Sequence, residues 1–315
     1  MKNIVTISLN PAIDSSCEAD RVHPTRKLRT RNARYDPGGG GINVARMVTR
    51  LGGSVRAIYL AGGATGPVLD SLLDRDGIVR SRIDISGDTR ISQTVHELET
   101  GLEYRFVAEG PELSEAEWQG CLAALGEIGC DYLVLSGSLP RNVPADFYAR
   151  LVARLKENTG RILLDTSGPA LRATLEGGGI FLVKPSRGEL EQFAGHVLAD
   201  ERSLAEVARN IVRSGMAQHV AITLGREGAL LVSAESELRL PALEVDVRSA
   251  VGAGDSFLGA IAFALASGQS VREAALLGLA AGTATVMTPG TGLCHLADVQ
   301  AISARMSNLH PDDNV

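Results

Sequence analysis

The sequence predicts an α/β protein whose mostly parallel sheet is covered by helices on both faces, with a small second sheet beside it. Three observations carry that expectation. Short apolar runs at 55–60, 132–135, 162–164, 181–183 and 220–224 read as strands, and each is followed by a segment of helical period. Strand and helix in alternation build a parallel sheet between two helical layers. Two stretches, 15–35 and 91–107, break the alternation. The second steps between polar and apolar residues at Ser92-Gln93-Thr94-Val95-His96 and Glu103-Tyr104-Arg105-Phe106-Val107, so both stretches read as antiparallel strands outside the main sheet. Finally, 315 residues with 44% hydrophobic content suffice for one large core plus a smaller accessory element. No internal repeat or low-complexity linker is visible, so the small sheet reads as an insertion, at about 12–36 and 90–108, in a single domain spanning 1–315.

Met1-Lys2-Asn3-Ile4-Val5-Thr6-Ile7 opens directly on a strand, and its apolar stretch is too short for a signal peptide. No apolar run approaches a membrane span, so a cytoplasmic location is expected. Next, Pro37-Gly38-Gly39-Gly40-Gly41-Ile42-Asn43-Val44-Ala45-Arg46 places four consecutive glycines ahead of an amphipathic helix running to about Leu51, with the Asn43 amide facing the loop. Four glycines cost backbone entropy, and close approach of a ligand to the backbone accounts for them. The predicted strands end at 136–138, 165–167, 184–186 and 223–225, and the carboxyl ends of parallel strands line one ligand cleft. Last comes Ser249-Ala250-Val251-Gly252-Ala253-Gly254-Asp255-Ser256, small residues and a carboxylate before an apolar helical pattern at 257–266. Small residues let successive N–H groups converge, the helix adds its positive N-terminal end, and phosphate oxygens are common occupants of such a site. A carboxylate at the rim, Asp255, can take a proton from an attacking hydroxyl.

Composition excludes several classes. A net charge of −6 and a pI near 5.6 argue against a general nucleic-acid or membrane surface, and aromatic residues are scarce at 4%. Cys17, Cys121, Cys130 and Cys294 form no C-x-x-C pair, which suggests free thiols rather than a disulfide frame or zinc site. No Gly-Lys pair occurs, excluding a Walker-type loop, and 8–15 holds no glycine, excluding a dinucleotide fingerprint after the first strand. Gly254-Asp255-Ser256-Phe257 superficially matches the nucleophile block of a lipase-like esterase. That chemistry needs a late Asp-x-x-His block, and His295 and Asp298 run in reverse order.

The two glycine-rich blocks, 38–45 and 249–256, resemble the motifs of the ribokinase family of carbohydrate kinases, also called the PfkB family, and the intervening blocks follow in the family's order over nearly the whole chain. Asn10-Pro11-Ala12-Ile13-Asp14, Lys27-Leu28-Arg29, the glycine run, Ser136-Gly137-Ser138-Leu139-Pro140 and Val183-Lys184-Pro185 are most similar to the family's ATP-dependent 6-phosphofructokinases. The resemblance implies a ribokinase-like three-layer α/β/α sandwich with a small β-sheet lid over the sugar, the lid also making a homodimer contact. It implies Asp255 as general base and the amides of Gly252, Ala253 and Gly254 as an anion hole. Asp14, Gly39, Gly40 and Asn43 would meet the sugar, while Lys27, Arg29, Arg90 and Arg105, with the Ser138 hydroxyl, would hold a phosphate already on it. Lys184, Ser186, Thr223, Gly225, Gly228 and Thr283 would border ATP, and Glu189 would organise Mg²⁺ through water. Ser186 departs from the asparagine usual at that position. Residues Ser249, Val251, Thr288 and Gly290 resemble the family's monovalent-cation loop, which would take K⁺.

The implied reaction is ATP-dependent phosphorylation of fructose 6-phosphate at its 1-hydroxyl. Tagatose-6-phosphate kinase and 1-phosphofructokinase are the alternatives. Comparable members of those two groups usually carry a lysine within the glycine run, and its absence at Gly40 favours fructose 6-phosphate. Outside the class stands a catalytically silent sugar-phosphate sensor on the same fold, which retention of Asp255 and the glycine cradle argues against.

Overall fold

A computed structural model describes residues 1–155 and 159–309; the single-domain expectation over 1–315 extends outside these at 156–158 and 310–315. The first half runs β1 (Ile4–Ser8), β2 (Ala12–Ala19), β3 (Arg31–Gly38), α1 (Gly40–Arg50), β4 (Val55–Gly62), α2 (Gly66–Arg75), β5 (Val79–Ile85), β6 (Arg90–Glu97), β7 (Glu103–Phe106) and α3 (Glu115–Gly126). The second runs β8 (Cys130–Ser136), α4 (Phe147–Arg154), β9 (Thr159–Asp165), α5 (Gly168–Gly177), β10 (Ile180–Val183), α6 (Arg187–Ala194), α7 (Glu201–Arg213), β11 (Ala217–Thr223), β12 (Gly228–Val232), β13 (Glu237–Pro241), α8 (Ala253–Ala266), α9 (Val271–Val286) and α10 (Leu296–Leu309).

Nine strands pair in the order β13-β12-β11-β10-β9-β8-β1-β4-β5. Pairing is parallel from β11 to β5, and only the β11–β12 and β12–β13 ladders are antiparallel. Because strand side chains alternate, each central strand feeds two cores. Ile4, Tyr59, Tyr132 and Val134 pack with α1, α8, α9 and α10 residues on one face, and Val5, Ile7, Leu133 and Leu135 pack with α3, α4, α5 and α7 on the other. After β1 the chain builds β4 and β5 on one side, then crosses to β8 on the other. That reversal opens a crevice at the carboxyl ends of β1 and β8, the expected place for a ligand in an open α/β sheet.

The small sheet has the order β3-β2-β6-β7. It is not wholly antiparallel as the alternating pattern predicts: β2 pairs with β6 in parallel, from Ala12 with Arg90 to Ala19 with Glu97. The segment between them runs through β4 and β5 of the large sheet, and such a long connection permits a parallel neighbour. Edge strands β5 and β13 escape the sequence reading because charged residues interrupt them, a usual device for protecting a sheet edge. Helix α1 begins inside the glycine run, at Gly40, with Gly39 as its N-cap.

Candidate active site

At the start of α8 the chain turns through Gly252, with φ 73 and ψ 1. Glycine adopts that left-handed conformation without strain, and it offers no side chain to cap the helix. The amides of the first turn therefore have no side-chain acceptor, and no carbonyl within the helix reaches them. Asp255 stands in that turn, and Asn43 Nδ2, from α1, donates to Asp255 Oδ2 at 2.9 Å. Burial pushes the Asp255 carboxyl above its ordinary value, and the Asn43 hydrogen bond and Lys184 ammonium only partly offset this.

Two cavities open on this point. The larger, about 320 Å³, is walled by Gly40, residues 136–138 and 165–167, Lys184, Glu189, Gly252, Gly254 and Asp255. The smaller, about 180 Å³, is walled by Ala12, Asp14, Gly39, Asn43, Arg90, residues 92–94, Arg105, Val107, Val251, Gly252, Asp255 and Thr291. Gly252 and Asp255 belong to both.

Charge is arranged differently in the two. In the larger, Lys184 Nζ lies 3.1 Å from Asp165 Oδ1. Burial pushes Asp165 up to about 6 despite the lysine, while for Lys184 burial is outweighed by the nearby Asp165 and Glu189, which raise the ammonium's pKa. Glu189 Oε2 accepts from the Ser186 amide at 2.7 Å, while Ser186 Oγ accepts from the Glu189 amide, a reciprocal cap on α6. Serine thus serves the capping role that asparagine also fills well. Ser136 Oγ, fully buried on this wall, has no hydrogen-bond partner among the described residues.

In the smaller cavity, Arg90 donates from Nη2 to Asn10 O at 2.8 Å and from Nη1 to Ala108 O at 2.9 Å, both neutral carbonyls, and the charge that acts on it is the Asp14 carboxylate on the same wall. Among the described residues neither Arg90 nor Arg105 makes an ion pair within 4 Å. Burial raises Asp14 to about 6, with Arg90, Arg46 and Arg105 acting in the opposite sense.

The structure therefore gathers most of the predicted site. Asp14, Gly39, Asn43, Arg90, Arg105 and Val251 line the smaller cavity, and Gly40, Ser138, Lys184, Glu189 and Gly254 the larger. Ala253 is the first residue of α8. Ser138 lies on the wall opposite to expectation: its Oγ accepts from Asn10 Nδ2 at 3.2 Å in the larger cavity, away from the arginines. Lys27 and Arg29 sit on exposed chain between β2 and β3 and line neither cavity. Nor do Thr223, Gly225, Gly228 and Thr283. A methyl on Gly228 would stand 2.1 Å from Leu240 O, so β12–β13 pairing requires that glycine. The glycine run has a similar internal cause. A methyl on Gly40 would meet Ser136 Oγ at 2.3 Å, and one on Gly41 would meet Ile7 O at 2.5 Å. Close packing of α1 on β1 and β8 demands these glycines before any ligand does.

The amides of Arg248 and Ser249 both donate to Val286 O, at 2.7 and 3.2 Å, which sets the 249–251 loop beside the end of α9 and the turn holding Thr288 and Gly290. Among the described residues no group of three or more His, Cys, Asp or Glu could hold a metal, and no helix is long and apolar enough to cross a membrane. All four cysteines are free and buried. The esterase reading falls, because Ser256 is fully buried and its Oγ accepts from Thr285 Oγ1 at 2.8 Å. Sequence reasoning missed Arg46, Thr291 and the pairing of Asp165 with Lys184. Only the last left a trace, a carboxylate at a strand end.

The model of the pfkB family carbohydrate kinases matches residues 1–298. An ATP-dependent 6-phosphofructokinase isozyme 2 of Mycobacterium tuberculosis is 41% identical over 299 residues, covering 94% of this chain and 88% of that one. Phosphofructokinase-2 from Escherichia coli, solved in complex with potassium, superimposes with a TM-score of 0.93 at 39% identity, covering 98% of this chain and 100% of that one. The same enzyme in complex with fructose-6-phosphate gives 0.91 at 38% identity and the same coverage. With a family model matching 1–298 and a backbone that superimposes over nearly its whole length, the chain belongs to the pfkB family of carbohydrate kinases and has its ribokinase-like fold.

Proposed function

We propose that the chain is an ATP-dependent 6-phosphofructokinase, which transfers the terminal phosphoryl group of ATP to the 1-hydroxyl of fructose 6-phosphate. One observation carries this reading: two cavities of different charge character share a wall made of Gly252 and Asp255. A sugar phosphate suits the smaller, where Arg90 and Arg105 supply positive charge and Asp14 and Asn43 supply planar polar groups for hydroxyls. The triphosphate suits the larger, against Lys184 and the amides of α8. The acceptor hydroxyl then meets Asp255 at the common wall. A carboxylate whose pKa is raised toward neutrality is a better base than an ordinary aspartate. As the proton leaves, the first-turn amides stabilise charge on the transferring group, and positioning plus such stabilisation is most of what phosphoryl transfer needs.

Magnesium fits as a partner of the nucleotide. Glu189 presents a carboxylate to the larger cavity beside Asp165, and Mg²⁺ is commonly held by one or two carboxylates plus phosphate oxygens, keeping several waters. Bound there, it would neutralise phosphate charge. Ser249, Val251, Thr288 and Gly290 would hold K⁺ with oxygens from two adjoining segments, in keeping with the potassium complex of the E. coli enzyme. Apolar residues exposed on the small sheet, Tyr35, Ile91 and Phe106, suit a homodimer contact through the lid; the E. coli enzyme also has a tetrameric inhibited form.

The test is ADP release with Mg²⁺ against fructose 6-phosphate, tagatose 6-phosphate, fructose 1-phosphate and free fructose or ribose. Highest kcat/KM on fructose 6-phosphate supports the proposal. Preference for an unphosphorylated sugar sinks the role of Arg90 and Arg105, and no turnover on any substrate favours a sugar-phosphate sensor.

A further inference from the structure

Arg46 is a buried cation at 4% exposure, yet it lines neither cavity. Each nitrogen of its guanidinium has a neighbour. Nε donates to Asp76 Oδ2 at 2.9 Å, Nη1 donates to Pro37 O at 3.0 Å and to Asn43 Oδ1 at 3.3 Å, and Nη2 lies 3.6 Å from Asp36 Oδ1. Asp36 is itself fixed, accepting from Thr291 Oγ1 at 3.0 Å and pairing with Arg75 at 3.3 Å. These contacts come from the end of β3, the residue after α2, and α1.

An asparagine amide can turn over, offering either its oxygen or its nitrogen. Asp255 needs the nitrogen. A cation on the oxygen side settles the choice, because Arg46 can only donate. With its oxygen held by Nη1, the Asn43 amide can present only N–H to Asp255 Oδ2. The geometry points to Arg46 as a positioning residue for the base: it orients the Asn43 amide, which in turn holds the Asp255 carboxylate facing the shared wall. Asp36 and Asp76 anchor it, so the lid strand β3 and the end of α2 both bear on the base without touching it. The role of Asp255 as base rests on the function proposed above; the orientation of Asn43 does not.

A buried arginine also stabilises the fold, so stability alone cannot separate the two roles. The informative variant is Arg46→Lys, which keeps the charge but cannot span Asp76, Pro37 O and Asn43 together. Made in the full chain, it should lower kcat roughly 10-fold or more while moving the KM for the phosphosugar less than about 3-fold, the pattern of a group felt mainly in the transition state. In an Asn43→Ala background the same change should cost less than about 2-fold in kcat, because residues acting through one another are non-additive. An equal loss of kcat in both backgrounds overturns the proposal, as does a fall in Tm with kcat unchanged. A crystal structure of Arg46→Lys needs no turnover. An Asn43 amide displaced beyond about 3.5 Å from the Asp255 carboxylate supports the role, and an unmoved amide rejects it. If that variant does not fold, Asp76→Asn loosens the same anchor and is read identically. Failure of the wild-type chain on every sugar phosphate would remove the kinase assignment while the crystallographic result still decides on Arg46.

Discussion

The two cavities that meet at Asp255 handle charge in opposite ways. On the larger side the cation is already matched, Lys184 against Asp165 at 3.1 Å. On the smaller side Arg90 and Arg105 line the wall without an ion pair within 4 Å among the described residues. A matched pair holds itself in place and accepts a ligand that brings its own counter-ion, as a magnesium nucleotide does. The two arginines act on Asp14 without pairing with it and leave room for an added anion. On the proposed function, the division between two cosubstrates follows which charges the fold neutralises.

The largest expected effect strikes the wall both cavities share. Asp255→Asn should keep the fold and lower kcat by about 10²–10⁴, the range for a lost general base; near-native kcat would remove Asp255 from the chemistry. Next, breaking the matched pair tests the larger side. Lys184→Met leaves Asp165 buried and unpaired and should destabilise the chain by about 3 kcal/mol in chemical denaturation, besides raising the KM for ATP. Arg105→Ala is its counterpart on the smaller side. With no partner to orphan, it should leave stability nearly unchanged and raise the KM for the phosphosugar roughly 10-fold, one lost charge-assisted contact. If Arg105→Ala were as destabilising as Lys184→Met, the contrast between the sides would collapse.

A further effect lies in pH dependence. Burial raises Asp14 to about 6 in the folded chain, whereas an unfolded aspartate releases its proton near pH 4. Between those values the folded state holds more protons, so stability falls as pH rises through the window. Asp14→Asn removes that slope. Measured without ligand, wild type should lose up to about 3 kcal/mol more than the variant between pH 4 and 7, a difference that includes the upward push the Asp14 carboxylate gives Asp255. Equal slopes would mean that the arginines hold Asp14 at its ordinary value.

Much of this was legible in the sequence. The parallel strands, the inserted small sheet and the cradle before α8 came from apolar runs and glycine placement, signals that depend on local pattern. Asp255 and Asn43 stood out beside the two glycine-rich blocks, while their roles, and Asp14 and Lys184, came from a resemblance spread over distant blocks. What escaped depends on contacts between segments far apart in the chain. Arg46 reads as an ordinary helical arginine until Asp36 and Asp76 close around it. Gly41 reads as ligand space until Ile7 is seen to fill it, and Gly40, though it borders the larger cavity, is also pressed against Ser136. Lys27 and Arg29 came from a motif as well, and within the single chain they stand exposed, away from both cavities.

The common wall of Gly252 and Asp255 also carries a hazard. While the smaller cavity lacks its sugar, water can occupy about 180 Å³ next to the same carboxylate, and a water molecule has a proton to give up just as a hydroxyl does. Nucleotide bound alone would then drain away as futile hydrolysis. On the proposed function, the wall contributed by β2, β6 and β7 therefore matters as much for what it keeps out as for what it grips.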